Sequence, residues 1–185
     1  NSTAFGTNAL TSNTTGTDNV AVGNGSLATN ITGTYNTAIG TNALAANTAN
    51  GNTAVGFTAL ATNTGGDNTA VGYQTLKSNT TGIQNTAVGT NALQQKTTGS
   101  ANTAIGHGAL NGSGTFDNVT ALGFQAGLNN TASNNTLLGF QAGNAVQAER
   151  VVAVGFQAGA VLRAPYTIAI GANAFDGNLD PASQY

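Results

Sequence analysis

Residues able to do acid–base, nucleophilic or metal chemistry are few in this chain, and their spacing organises none of it. One histidine, His107, and no cysteine occur among 185 residues. That removes both a disulfide framework and a thiolate metal site. A metal centre would have to come from carboxylates, and these are scattered at Asp18, Asp67, Asp117, Glu149, Asp176 and Asp180. Asp18, Asp67 and Asp117 recur three units of a repeat apart, too far along a stacked chain to share one ion. "GGDN" at 65–68 lacks the spacing of the calcium-binding Gly-Gly-x-Gly-x-Asp nonapeptide. No Walker or dinucleotide glycine pattern is present. His107 occupies a position filled elsewhere by Thr7, Phe57 or Phe124, which points to a structural or surface role. The expectation is no enzyme, no catalytic residue, no cofactor and no metal.

Composition excludes further classes. Charged residues make up 5%, against about a quarter in ordinary soluble domains. The net charge of −2 offers no basic surface for a phosphate backbone, so nucleic acid is not an expected partner. No apolar run approaches the roughly 18 residues of a membrane span, so no membrane insertion of this segment is expected. Asn is as frequent as Gly, at 26 residues each, a bias also found in disordered tracts. A disordered tract, however, has no reason to hold an apolar residue in fixed phase over eleven units. The chain has no Met and Asn1 opens in the middle of the pattern, so it reads as a portion of a longer chain.

The elements that must position these residues are set by that phase. Stretches such as "NTAVGFTALATNTGGD" (52–67) and "NTAVGYQTLKSNTTGIQ" (68–84) are near copies. The glycine closing each "AVG" or "AIG" recurs from Gly6 through Gly23, Gly40 and Gly56 to Gly171 at intervals of 16 or 17 residues. A fixed period of this kind marks a repeat architecture. The unit is too short for a helical hairpin, shows no 3.6 spacing, and fits two short strands and two turns. The reading is an all-β, parallel β-solenoid of about eleven 16–17-residue coils over 1–175, with 176–185 a C-terminal extension toward a neighbouring segment. Coils pairing at about 4.8 Å give roughly 50 Å of rod. The extra residue of a 17-residue coil belongs in a surface turn, since a slip within the strand would turn its faces over.

Column by column, the residue before the glycine is Phe5, Val22, Ile39, Val55 and onward to Ile170, with Thr3, Val20, Thr37 and Thr53 two earlier. These β-branched residues at period two are expected to form the inward face. Between them lies a column of small residues: Ala4, Ala21, Ala38, Ala54, Ala70, Ala87, Ala104, Ala121, Leu137, Ala153 and Ala169. A lone solenoid needs only its inner face dry. Both faces being apolar, the Ala column (Leu137 apart) is expected to pack against another copy of the chain, making a homo-oligomer.

Those same residues carry a resemblance. "NTAVG", "NTAIG" and "VVAVG" followed by "NAL" or "QAG" resemble the YadA-like head repeats of trimeric autotransporter adhesins, over Ser2 to about Phe175. Similar arrays occur in phage tail-fibre proteins. The resemblance implies a left-handed β-roll, a homotrimer, and a non-enzymatic adhesive segment of an extracellular fibre on a bacterial cell surface. Its partner would be a protein or glycan receptor on the attached surface; the alternative is the shaft or receptor-binding part of a virion tail fibre. The chain departs from the family in its longer unit (about 14 residues there), and in Thr replacing the first Val. No membrane anchor or coiled-coil stalk is present in it.

Three further expectations concern side chains. Asn13, Asn30, Asn47, Asn63, Asn79 and Asn130 form a column suited to amide ladders or turn caps, with sugar binding a lesser alternative. Phe124, Phe140 and Phe156 belong to "GFQAG" units in which Gly replaces the usual Leu; they are expected to stack their rings and to fill the vacated core volume, with an exposed aromatic binding stripe the lesser alternative. From Val146 onward the changed turns read as a transition toward a neighbouring domain. Ice binding, a third class of function, is disfavoured because its Thr column is expected to point inward.

Overall fold

The computed structural model describes residues 1–96 and 98–175; the expected extension at 176–185 lies outside the described residues. Eleven three-residue strands follow one another: β1 (Thr3–Phe5), β2 (Val20–Val22), β3 (Thr37–Ile39), β4 (Thr53–Val55), β5 (Thr69–Val71), β6 (Thr86–Val88), β7 (Thr103–Ile105), β8 (Thr120–Leu122), β9 (Thr136–Leu138), β10 (Val152–Val154) and β11 (Ile168–Ile170). They form one parallel sheet in sequence order, and the register matches Ala to Ala, as in Ala70↔Ala87 and Ala87↔Ala104. This is a β-solenoid. Each coil has one strand rather than the two expected. The "NAL" segment runs as turns, although its amides still ladder from coil to coil, with the Leu27 N–H donating to Ala43 O at 3.1 Å.

The turn follows from backbone geometry. The leucine four after the glycine sits in the left-handed region, with φ 50 at Leu27, 49 at Leu44 and 50 at Leu60. A non-glycine residue there costs about 1–2 kcal/mol. Complete burial of each of these side chains returns roughly 2 kcal/mol, so the sharp inward turn persists. The repeat glycine has a separate cause. Gly23 has φ +129, and a Cβ on it would lie 2.7 Å from the carbonyl of Gly40 in the next coil. Only glycine permits that approach.

The core lies inside the coil and has two halves. One half is apolar, built from the Ala column of the strand, a second Ala exemplified by Ala43 and Ala59, and the Leu column. The other half is amide. Two Asn columns run through it, one the expected column and one just before the strands at Asn19, Asn36, Asn52, Asn68, Asn85, Asn102 and Asn135, all buried. In the last coils Val146, Val151 and Leu162 take over these positions, fully buried. The shift after residue 146 is thus a change of core chemistry within the same solenoid. It does not interrupt the coils up to Phe175.

Candidate functional site

The strand alternation is opposite to the sequence expectation. Ala21, Ala38, Ala54, Ala70, Ala87, Ala104, Ala121, Ala153 and Ala169 are all at 0% exposure within their own chain. Ala4, in β1, is exposed. From Ala21 to Ala169 the Ala column is therefore closed to a subunit interface, because these methyls are buried inside their own coil. The outward face carries the Thr and the Val, Ile or Leu columns. Ile39 is 41% exposed, Ile105 38% and Leu122 47%. The reason is space. A coil of 16 residues encloses too little room for Ala, Leu and a β-branched residue together, and the small residue goes in.

Leu137 is the exception that displays the constraint. It replaces Ala in the inward column, pairs with Ala121 and Ala153, and is fully buried. Room for it comes from Gly127 and Gly143, which replace Leu. A Cβ on Gly127 would lie 2.7 Å from Leu137 Cδ1, and one on Gly143 would run into Leu137 Cδ2. A Cβ on Gly159 would lie 2.6 Å from Leu162 Cδ1. Leu137 and Leu162, not the phenylalanines, refill the volume.

The phenylalanines are instead on the surface. Phe124, Phe140 and Phe156 are 42%, 41% and 50% exposed. His107, Phe124, Phe140 and Phe156 stack in one column with centroid separations of 5.2, 5.3 and 5.1 Å and interplanar angles of 10° or less. Phe57 and Tyr73 make a shorter stack at 5.5 Å. Beside the long column runs an amide ladder, in which Gln141 Nε2 donates to Gln125 Oε1 and Gln157 Nε2 to Gln141 Oε1, each at 2.9 Å. Ring faces cover one another, so the column presents ring edges.

The Asn columns are structural. Asn30 Nδ2 donates to Gly33 O at 3.0 Å and Asn63 Nδ2 to Gly65 O at 2.6 Å, capping turns as expected. The second column, which sequence reasoning missed, lends its Oδ1 to the next coil: Asn52 accepts the Asn68 N–H and Asn68 the Asn85 N–H, each at 3.0 Å. Its sequence signal was the Asn immediately before seven of the eleven strands. With all of these asparagines but the half-buried Asn13 enclosed in the coil, a sugar finds no accessible amide array there.

Lys96 breaks the first ladder. It is fully buried, donates to Phe116 O at 2.5 Å and lies 3.5 Å from the centre of the Phe116 ring. Asn79 Oδ1, whose successor in the column would have donated to it, is left without a hydrogen-bond partner. Burial pushes the Lys96 ammonium down from 10.5 to about 8, against the opposing pull of the Asp117 carboxylate.

No group of three His, Cys, Asp or Glu that could hold a metal ion occurs among the described residues. Asp176 and Asp180 lie outside them. A cavity of about 80 Å³ lined by Gly112, Ser113, Gly114, Asn129, Asn130 and Thr131 has room for a few waters. Organic ligands occupy roughly 300 Å³ or more. No helix among the described residues is long and apolar enough to cross a membrane.

No protein-family model, curated protein or solved structure matches this chain. The candidate site is accordingly defined by geometry alone: the outward Thr/Val/Ile face of the sheet and the aromatic column beside it.

Proposed function

We propose that this chain is a non-enzymatic, structural and adhesive segment of an extracellular fibre, in which copies pack side by side through the outward Thr/Val/Ile face. The observation that carries this reading is that face itself, a run of half-exposed β-branched and Leu residues along eleven strands. At about 4.8 Å per strand and 3.3 Å per residue the face measures roughly 50 by 10 Å, or about 500 Å². A contiguous apolar patch of this size commonly marks an interaction surface. Ladders of backbone and amide hydrogen bonds along a rod suit a load-bearing fibre. The resemblance of "NTAVG" and "VVAVG" units to trimeric adhesin heads supports three copies and attachment to a protein or glycan surface.

Val88 is the residue to perturb, being outward and 36% exposed. Val88→Asp should leave the far-UV circular dichroism unchanged and abolish association in sedimentation velocity, where the wild type should run as three chains. A wild type that stays monomeric at high micromolar concentration would overturn lateral packing. Adhesion is read separately, by retention of protein-coated beads on matrix proteins and glycans.

One observation favours a second reading. The Thr column, with Val20, Val152 and Ile168 within it, faces outward in regular register, so the objection to ice binding falls. A flat array of hydroxyls and methyls at strand spacing suits contact with ordered water. Inhibition of ice recrystallisation by the wild type, lost in Thr86→Lys, would decide for it.

A further inference from the structure

The strands are all parallel, so the sheet has two chemically different long edges. The residues just after the strands line one edge, and those just before the strands line the other. On the trailing edge, toward the C-terminal end of the rod, stands the aromatic column His107–Phe124–Phe140–Phe156. On the leading edge, at the levels of β10 and β11, stands an exposed pair: Arg150 Nη1 donates to the Tyr166 hydroxyl at 2.9 Å, with the guanidinium 5.2 Å from the ring centre. Neither feature has a task inside the coil. Leu137 and Leu162 fill the core behind the phenylalanines, and Tyr166 is 71% exposed.

We infer that the aromatic column is one half of a heterologous contact between copies, its Phe156 end meeting Arg150 and Tyr166 on the leading edge of the next copy. The inference rests on the lateral packing proposed above and adds which edges meet. Area is the first argument. If each sheet faces two neighbours, the roughly 500 Å² face gives each pair about 250 Å² per partner, far below the about 800 Å² that a stable pair buries. The contact must continue round both long edges. Symmetry is the second. A closed ring of more than two copies joins unlike surfaces, edge A of one copy to edge B of the next, and this sheet has unlike edges. Chemistry is the third. Stacked rings expose only C–H edges, which carry partial positive charge and suit the face of another ring or apolar stems. Tyr and Arg are the residue types over-represented at the centres of interfaces. Sugars, which pack on ring faces, find those faces already covered. In the first coils the trailing edge is polar, with Thr7, Asn24 and Thr41, so the grip is concentrated toward the C-terminal end and aligns the copies in parallel.

The chain's lack of cysteine gives a clean test by cross-linking. Phe156→Cys and Arg150→Cys, both at the level of β10, are prepared separately, unfolded together, refolded together and treated with a short bis-maleimide. Covalent multimers in the mixture, and none from either variant alone, are the expected result. Multimers from Phe156→Cys alone would mean that aromatic edges meet each other, and would overturn the inference. So would an absence of cross-links in a mixture that still sediments as an oligomer; lateral packing would then survive without this contact. A monomeric wild type removes both. Circular dichroism checks that the variants fold, and Phe140→Cys with Asn134→Cys repeats the test one coil earlier if they do not.

Discussion

Substituting Ala87 tests the inversion of the strand faces, and the chain supplies its own compensating change. Ala87 is fully buried between Ala70 and Ala104, so Ala87→Leu pushes three extra carbons into a filled coil at about 1–3 kcal/mol. Leu93 stands six residues on, as Gly143 stands six after Leu137. Leu93→Gly alone deletes a buried side chain at about 3–5 kcal/mol. It regains about 1–2 kcal/mol because glycine accepts the left-handed φ of 50 without strain. If the sites were independent, the double variant would lose about 2–7 kcal/mol. Leu137 has its room from both Gly127 and Gly143, so the new leucine takes up the space vacated at 93 while still meeting Leu76, and the double variant should be about 1–2 kcal/mol more stable than the sum. Urea unfolding of the four proteins, followed by far-UV circular dichroism with sedimentation alongside, measures this coupling. Strict additivity would refute the shared-volume argument. Loss of association by Ala87→Leu at unchanged stability would refute the inward assignment itself.

Two other perturbations probe the amide half of the core. Asn68→Ala removes the acceptor for the buried Asn85 N–H, while Gly82 O loses one donor and keeps Asn79 Nδ2 at 3.0 Å; one buried group orphaned at about 1–3 kcal/mol should lower the urea midpoint clearly, whereas Thr98→Lys in a surface turn should not. Lys96, held near 8 rather than 10.5 by burial, is neutral in the folded chain and charged in the unfolded chain between those values. Stability should therefore rise with pH across that window, be complete above it, and be lost as pH falls to about 8, by on the order of 3 kcal/mol. Urea unfolding as a function of pH reads the slope, and Lys96→Met should flatten it.

Much of the architecture was legible in the sequence because a solenoid writes its geometry in one dimension. The 16–17 spacing of Gly6 to Gly171 fixed the coil, the parallel register and the column to which each residue belongs. Turn-capping by Asn30 and Asn63 followed from residue type alone. Tertiary structure decided which way the strand faces. Alternation says only that Ala87 and Val88 point to opposite sides, and hydrophobicity voted for Val88 as the core. The winning quantity was volume: the turn through Leu93 brings its side chain under the strand, and only an Ala fits above it. One signal of this was present in the chain, Leu137 appearing where Gly127 and Gly143 replace Leu, and it becomes readable once the two columns are known to share a space. The same limit hid the aromatic column. Its spacing announced a stack, but whether Phe140 fills a cavity or lines an edge depends on what Leu137 does in the next column, and that is a fact of three-dimensional packing.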